Sequence, residues 1–272
     1  MACRDAYIRI MQAANEPSEA KEKNNNIFTE KPSVERRLFG VNSKVQANDI
    51  LQNNLTLFEW ATRNKLYPNF WGRYISGENS LTKNEIKFLH RKGCKIAAMY
   101  RRDSAEKKTE AQGKALAKKI DTIAVDLGIP ANTAIFLEVS AKETATRDFM
   151  KGYIKEMLYN GYTPAFKANT DAAYAFDREL SRGLQTDKEV FNKCLIWAVA
   201  PSLPEYDGIT TTHLIHPDKW GPYAPSGTKR QDIAIWQYGK DCHPIYDDVD
   251  EKEVTFNLDL VKDERVIIEK MF

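Results

Sequence analysis

Short apolar runs and amphipathic segments alternate along most of this chain, from about residue 37 onward. An apolar run of four to eight residues between turn-forming residues predicts a buried strand, whereas apolar positions three and four residues apart predict a helix. Eight segments fit a strand: 38–42, 70–75, 95–100, 134–140, 163–167, 195–200, 232–238 and 254–258. Repeated strand-then-helix units imply parallel strands joined by right-handed crossovers. Eight strands in about 235 residues predict a closed (β/α)8 TIM-like barrel, with a doubly wound sheet as the alternative.

Helices are predicted between these strands. They cover residues 47–65, 82–90, 109–128, 147–160, 172–183 and 187–193. The clearest start signal is Thr82, which is placed to form a capping box with Glu85, and Gly93 ends that helix. Residues 201–230 contain five of the eleven prolines and predict a long loop.

The first 36 residues have a different character from the rest of the chain. Residues 4–14 predict a short helix, and residues 16–26 form a polar stretch typical of a linker or mobile arm. We therefore expect an N-terminal helix and polar linker over residues 1–36 and a single barrel domain over residues 37–272. The N-terminal part is the segment we expect to contact any protein partner.

Composition narrows the classes of partner. The chain has 40 Lys and Arg residues against 38 Asp and Glu residues, so no overall field favours nucleic acid or an anionic membrane. No apolar run reaches membrane-spanning length, and the N-terminal residues have no apolar core of the signal-peptide type. We therefore expect neither nucleic-acid binding nor membrane insertion.

No cofactor or metal is predicted. His213 and His216 have a spacing compatible with a metal, but they lie in the proline-rich loop without a companion acid, which favours a surface pair. The four cysteines lack any Cys-x-x-Cys spacing, so they indicate neither a zinc site nor a disulfide framework. They are expected to be buried thiols, although they could pair in an oxidising compartment; they are Cys3, Cys94, Cys194 and Cys242.

A single carboxylate interrupts the fourth predicted strand. Glu138 lies near the carboxyl end of the apolar run from Ala134 to Ser140. An acid in a buried strand needs a partner or a function, because an unpaired buried charge is costly. Three interpretations are open: a catalytic carboxylate, a substrate-orienting one, or a structural one held in a salt bridge. From this strand alone the structural interpretation is favoured.

In a barrel of this class the functional residues lie at the carboxyl ends of the strands. The residues predicted there are Asn42, Tyr74, Tyr100, Glu138, Ser140, Trp197, Trp236, Gln237, Tyr238 and Thr255. Sugar-binding clefts combine aromatic faces with a few fixed hydrogen-bonding groups. The predicted glycan-binding set is therefore Tyr74, Tyr100, Trp197, Trp236, Gln237 and Tyr238. The alternative is that these side chains form packing layers, the favoured interpretation for Trp60 and Trp71.

Several of these strands together resemble a known family. The runs that carry the resemblance are Phe39-Gly40-Val41-Asn42, Trp71-Gly72-Arg73-Tyr74-Ile75 with Leu81-Thr82-x-x-Glu85, Leu127-Gly128-Ile129-Pro130 with Ile135-Phe136-Leu137, Trp197-Ala198, and Ile235-Trp236-Gln237-Tyr238. They are similar to the bacterial glycoside-hydrolase-like domain of unknown function, a barrel related to the family 25 lysozymes that cut peptidoglycan. The resemblance spans roughly residues 37–260 and implies a peptidoglycan-type or related polysaccharide as ligand.

The resemblance also implies several catalytic acids, and most of them are replaced here. Asn42, Ser140 and Thr255 stand where the lysozymes place aspartate, glutamate or a second aspartate, and Glu138 alone keeps a carboxylate in this alignment. Hydrolysis in its usual form needs one acid for the leaving oxygen and a second carboxylate for water or the sugar. Loss of lysozyme-type hydrolysis is therefore favoured, unless the substrate assists. A displaced partner for Glu138 could be Glu143, Asp103 or Asp232, each more typical of a solvated loop charge.

Three hypotheses follow for function. The first is a barrel that recognises cell-wall or related glycan and has lost or altered hydrolysis. The second is an active glycosidase that uses Glu138 as acid with an unconventional second group. The third is a barrel reused as a scaffold for protein contacts in an envelope or phage-type assembly. An extracellular or cell-wall location is implied by the resemblance alone.

Overall fold

The computed structural model describes residues 38–101, 108–202, 217–242 and 255–272. Their eight strands form a closed barrel in sequential order, which confirms the predicted (β/α)8 TIM-like fold. The strands are β1 (Leu38–Asn42), β2 (Phe70–Tyr74), β3 (Lys95–Arg101), β4 (Ala134–Val139), β5 (Thr163–Ala168), β6 (Leu195–Val199), β7 (Ile235–Cys242) and β8 (Phe256–Val261). All eight correspond to predicted strand segments.

Helices surround the barrel and connect most of the strands. They are α1 (Leu57–Arg63), α2 (Lys83–Arg91), α3 (Glu110–Leu127), α4 (Arg147–Tyr159), α5 (Ala175–Thr186), α6 (Lys188–Phe191) and α7 (Glu264–Lys270). A short 3-10 turn, Arg230–Asp232, precedes β7. Helix α3 begins at its N-cap Thr109 and ends at Gly128, whose left-handed backbone closes the helix without the Cβ clash that other residues would meet.

The predicted helix over residues 47–65 is wrong in its first half. Helix α1 starts only after its N-cap Thr56. The preceding residues form a loop, in which Leu57 N donates to Asp49 O at 2.9 Å and Ala47 N donates to the buried Glu85 Oε1 at 2.7 Å. These contacts satisfy backbone groups that a longer helix would have used internally.

Strand β8 departs from the expected all-parallel arrangement. It is antiparallel to both of its neighbours, β1 and β7. Asn257, near its start, is therefore paired with Asn42 at the carboxyl end of β1, whereas Val261 is paired with Leu38 at the other end. Because β8 ends at the amino-terminal side of the barrel, α7 follows on that side, and its residue Ile267 packs into the interior cluster. The open side of the barrel is thus the carboxyl ends of β1–β7.

The buried side chains form two separate layers. The larger layer lies between the strands and the helices and contains Trp60 and Trp71, as the packing interpretation for these two residues predicted. The smaller layer fills the inside of the barrel. Two glycines make room for its aromatic rings, since a Cβ on Gly40 would lie 2.3 Å from the Phe70 ring and one on Gly72 would lie 2.8 Å from the Trp197 ring.

The run from Trp71 to Ile75, which carries part of the family resemblance together with Thr82 and Glu85, has a structural role. Arg73 points out of the barrel and pairs with Glu85 of α2, Nε to Oε1 at 2.7 Å, with both side chains fully buried. Arg73 Nη1 also donates to Ser43 O at 2.7 Å. Thr82 caps α2 by accepting from Glu85 N, but the Glu85 carboxylate turns to Ala47 and Arg73 instead of completing the capping box. Burial raises the pKa of Glu85, and the charge of Arg73 opposes this.

Several predictions lie outside the described residues. They concern residues 1–36, Cys3, Asp103, the His213 and His216 pair and Val254. Within the described segments, Cys94 and Cys242 are buried and Cys194 is half-buried, and burial raises the pKa of the Cys94 and Cys194 thiols. The described helices include none that is both long and apolar enough to cross a membrane.

Candidate functional site

The inside of the barrel changes from apolar to polar along its axis. Phe70, Ala134 and Ile235, which begin their strands, belong to the apolar interior cluster. Side chains two and four residues further along the same strand faces are polar at several positions. The inward or axial polar set at the carboxyl-end side is Asn42, Tyr74, Arg101, Glu138, Lys167, Gln237, Asn257 and Asp259. This is the end at which barrels of this class place their functional groups.

Glu138 is held by two neighbours at the mouth of the barrel. Tyr74 Oη donates to Glu138 Oε2 at 2.6 Å, and Arg101 donates through Nε to Oε2 at 2.8 Å and through Nη2 to Oε1 at 3.1 Å. Arg101 Nη2 also donates to Tyr74 Oη at 2.9 Å, and the guanidinium stacks 4.8 Å from the centre of the Tyr74 ring. The Glu138 side chain is 17% exposed and that of Arg101 is 50% exposed, so the cluster faces solvent.

These contacts fix the ionisation of the carboxylate. Burial would raise the pKa of Glu138, but the charge of Lys167 and the hydrogen bonds from Arg101 and Tyr74 outweigh it and lower the pKa to about 2. Burial and the adjacent carboxylate raise the pKa of Tyr74, and the hydrogen bond to Glu138 raises that of Arg101. Glu138 is therefore an anion at neutral pH, with its proton-accepting positions occupied by donors.

A second polar network lies deeper in the barrel and is centred on Asn42. Lys167 Nζ donates to Asn42 Oδ1 at 3.1 Å, and Asn257 Nδ2 donates to the same oxygen at 2.8 Å. Asn42 Nδ2 donates to Asp259 Oδ2 at 2.7 Å, and Trp197 Nε1 donates to Asp259 Oδ1 at 2.9 Å. Asn42, Lys167 and Asp259 are all buried. The network therefore links β1, β5, β6 and β8 through side chains that are buried, apart from the half-buried Asn257.

Burial dominates the ionisation of this second network. It raises the pKa of Asp259 to about 7, although the charge of Lys167 and the hydrogen bonds from Asn42 and Trp197 work in the opposite direction. It also lowers the pKa of Lys167, against the charges of Glu138 and Asp259. The interior therefore contains one carboxyl group that titrates near neutrality and one amine that ionises less readily than usual.

Two further predicted residues face the interior. Trp197 occupies the barrel axis, with Lys167 Nζ 4.8 Å from its ring centre and the Phe136 ring in edge contact at 5.2 Å between centroids. Gln237 lies directly opposite Asp259 in the β7–β8 ladder, which places both on the inner face. Gln237 Oε1 is buried and accepts no hydrogen bond from a described residue.

The prediction that Tyr100, Trp236 and Tyr238 converge at the mouth is wrong. All three belong to the layer between strands and helices. Trp236 Nε1 donates to Ala200 O at 2.7 Å, and its ring packs in edge contact with Trp220 at 5.8 Å between centroids. Neighbouring residues on a strand point to opposite faces, and it is Met99 and Ile235 that face the interior.

Of the remaining predicted residues that the structure describes, Ser140, Thr255 and Asp232 form none of the hydrogen bonds to Glu138 described above. Ser140 is exposed in the turn after β4, where its backbone N donates to Glu143 Oε2 at 3.2 Å. Thr255 is half-buried immediately before β8. Asp232 precedes β7, where its carboxylate accepts from Lys229 N at 2.8 Å, so it lies at the opposite end of the barrel from Glu138.

Sequence reasoning missed Arg101, Lys167 and Asp259. At the aligned acidic positions it left Glu138 as the one carboxylate, and Asp259, which that alignment did not include, is a second carboxyl group inside the barrel. The missed signal is a spacing of two: Arg101 follows Met99, Lys167 follows Ala165, and each continues an inner face just as Glu138 follows Phe136. Among the described residues, no group of three or more His, Cys, Asp or Glu is arranged to hold a metal ion.

Structural comparison finds similar barrels. An uncharacterized B. stearothermophilus protein superposes with a TM-score of 0.69 at 24% identity, covering 86% of this chain and 100% of that one. The Mycobacterium tuberculosis Tat-secreted protein Rv2525c, in complex with L-tartrate, has a TM-score of 0.48 at 12% identity, covering 83% and 94%. The modular autolysin LytC from Streptococcus pneumoniae has a TM-score of 0.47 at 13% identity, covering 82% and 46%.

Sequence comparison with family profiles identifies a family for this chain, whereas comparison with the curated proteins does not. The curated proteins include no sequence match to this chain. The profile of one family, described as the Rv2525c-like, glycoside hydrolase-like domain, matches residues 65–259, which is more than half of the chain. That segment includes β2 to β7 and ends at Asp259 in β8. The chain belongs to the Rv2525c-like, glycoside hydrolase-like domain family.

Proposed function

We propose that this barrel binds a glycan of the cell-wall type at its mouth and does not cleave it by the lysozyme route. The absence of lysozyme-type cleavage is argued from the hydrogen bonds that Tyr74 and Arg101 donate to Glu138. A general acid must be protonated at the working pH, whereas the charge of Lys167 and the hydrogen bonds from Arg101 and Tyr74 keep Glu138 ionised. Glu138 is better suited to hold Arg101 and Tyr74 in place than to donate a proton.

Glycan binding is supported by the chemistry of the mouth and by the family. Arg101 and Glu138 present partly exposed hydrogen-bonding groups beside the Tyr74 ring at the carboxyl ends of β2, β3 and β4. Fixed polar groups next to an aromatic ring are the usual elements of a sugar site. Membership of a glycoside hydrolase-like family favours a carbohydrate over other polar ligands.

One observation favours an active hydrolase as a second candidate. Glu138 and Asp259 have pKa values moved in opposite directions, to about 2 and about 7, and such a pair can divide the work of nucleophile or base and acid. Against this, Asp259 is fully buried and both its oxygens accept hydrogen bonds from Asn42 and Trp197. A sugar oxygen would have to replace one of these donors to receive the proton.

The test is a combined cleavage and binding assay on the purified protein. Peptidoglycan fragments and chito-oligosaccharides are incubated with wild type, Glu138→Gln and Asp259→Asn, with new reducing ends measured, and binding is followed by tryptophan fluorescence. Asp126→Asn is the matched control, since that side chain is 81% exposed on α3. Binding without cleavage supports the proposal. Cleavage that is lost in Glu138→Gln and Asp259→Asn but kept in Asp126→Asn supports the second candidate. Absence of binding at millimolar ligand contradicts both and favours a scaffold for protein contacts.

A further inference from the structure

Lys167 is an unusual amine for the centre of a barrel. Its side chain is 2% exposed on the inner face of β5, and Nζ lies 3.6 Å from Met99 Sδ and 4.8 Å from the centre of the Trp197 ring. A buried lysine normally forms a direct ion pair, because an unpaired ammonium is costly inside a protein. Here its oxygen partner is the neutral amide of Asn42. Of the described carboxylates, none lies within ion-pair distance of Nζ.

The surroundings of Lys167 favour a reactive neutral amine over an ammonium group that serves only as a positive charge. Asn42 Oδ1 already accepts from Asn257, so it offers Lys167 a shared and neutral acceptor. Burial shifts the pKa of Lys167 downward, which increases the fraction of neutral amine at a given pH. Lysines that form imines with carbonyl compounds are activated by the same desolvation.

Groups that could serve a carbonyl ligand lie on the same inner face of the barrel as the amine. Gln237 Oε1 is buried on the inner face without a donor from the described residues, so it can accept from a ligand hydroxyl. Asp259 is connected to Lys167 through Asn42, and Glu138 is paired with Lys167 across the β4–β5 ladder. Both carboxyl groups act electrostatically on the amine.

We infer that Lys167 forms an imine with the aldehyde of an open-chain sugar that enters through the barrel mouth. The neutral amine attacks the aldehyde carbon, forming the C–N bond of a carbinolamine, and a proton moves from nitrogen to the former carbonyl oxygen. The second proton of the nitrogen then moves to that hydroxyl group, which leaves as water. The nitrogen then holds the C=N double bond, and the step needs no oxidant or reductant. The glycan preference proposed above is not required, since a short hydroxyaldehyde satisfies the same groups.

The experiment maps the amine directly in the wild-type protein. The full chain is incubated with D-glyceraldehyde and sodium cyanoborohydride, which traps an imine as a stable secondary amine, and the adducts are located by peptide mass spectrometry. The expected result is that Lys167 carries the predominant adduct. Lys114 is the internal reference, because it is an exposed lysine on α3. Adducts spread over exposed lysines, with Lys167 unmodified in the folded protein, would overturn the inference.

Three variants keep the result specific to the site. Lys167→Met is expected to lose the predominant adduct, whereas Lys114→Met keeps it. Gln237→Leu tests the site without touching the amine and is expected to slow adduct formation at Lys167 while leaving Lys114 unchanged. Equal rates at Lys167 in wild type and Gln237→Leu would contradict the assigned hydroxyl contact. Glyceraldehyde is not a glycan, so a negative result in this experiment does not decide the outcome of the glycan-binding assay. Failure of the imine proposal and failure of the glycan proposal can therefore be distinguished.

Discussion

Glu138 and Lys167 are direct neighbours in the β4–β5 ladder, yet each makes its closest polar contacts elsewhere. Their Cα atoms are paired in register and both side chains face the barrel interior. Glu138 accepts from Tyr74 Oη at 2.6 Å and from Arg101 Nε at 2.8 Å, whereas Lys167 donates to Asn42 at 3.1 Å. The charge of Lys167 nevertheless helps to lower the pKa of Glu138. The two networks are therefore coupled through space by these two residues.

Removing the charge of Lys167 is expected to raise the pKa of Glu138. In Lys167→Met the burial of Glu138 persists but its main electrostatic compensation is lost. Carbon-13 NMR titration of the glutamate carboxyl groups measures the change, with Lys114→Met as the control on an exposed helix face. An unchanged Glu138 titration in a folded Lys167→Met protein would show that Arg101 and Tyr74 alone set its pKa.

Asp259 is expected to make the protein less stable as the pH rises from about 4 to about 7. Its pKa is raised to about 7 in the folded state, from an ordinary value of 3.8, so the folded state binds the proton more tightly than the unfolded state. The stabilisation is complete below about pH 4 and lost as the pH passes through about 7, with an upper limit of about 4 kcal/mol. Glu138 acts in the opposite direction, but only below about pH 4, the range of an unfolded glutamate.

Urea unfolding at about pH 5 and about pH 8 measures this effect. The difference in the free energy of unfolding between the two pH values should shrink in Asp259→Asn, because the amide does not ionise. Asp126→Asn, at a side chain that is 81% exposed, should keep the wild-type difference. A full wild-type difference in Asp259→Asn would mean that another group causes the pH dependence.

The barrel could be predicted from the sequence because each strand is an apolar run with clear ends. The direction of β8 could not, since a period of two is the same for a strand followed in either direction. The faces of Tyr100, Trp236 and Tyr238 were misassigned for a related reason. Barrel strands are buried on both sides, so an apolar run does not show which alternate residues point inward.

The candidate site could be predicted only in part. Glu138, Asn42, Tyr74 and Trp197 were found because they end apolar runs or carry the family resemblance. Lys167 was not, because a lysine at the end of a short apolar run is usually exposed. Its burial depends on Trp197 of the neighbouring strand β6 and on Asn42 of β1 across the barrel. Such contacts are set by the closed barrel, which brings together residues more than a hundred positions apart.

The buried pair of Arg73 and Glu85 is expected to matter for stability and not for ligand chemistry. Arg73→Met leaves the Glu85 carboxylate buried without its cation, which should cost roughly 3–5 kcal/mol in the free energy of unfolding. Lys83→Met is the matched control, since its pair with Asp126 is largely exposed and should contribute no more than about 1 kcal/mol. Urea unfolding measures both. Equal losses in the two variants would show that the buried pair is not selectively important.

Gly72 is expected to be required for the position of Trp197 on the barrel axis. A Cβ at residue 72 would lie 2.6 Å from Asn42 Cβ and 2.8 Å from the Trp197 ring, so Gly72→Ala must displace one of them. Overpacking of this kind should cost about 1–3 kcal/mol and alter tryptophan fluorescence. Gly221→Ala is the control, because its Cβ would lie 3.5 Å from the Trp236 ring, an ordinary contact.

Since Asn42 and Trp197 both donate to Asp259, Gly72→Ala should also shift the pH dependence of stability that Asp259 produces. Unchanged stability and fluorescence in Gly72→Ala would place the Trp197 ring away from Gly72.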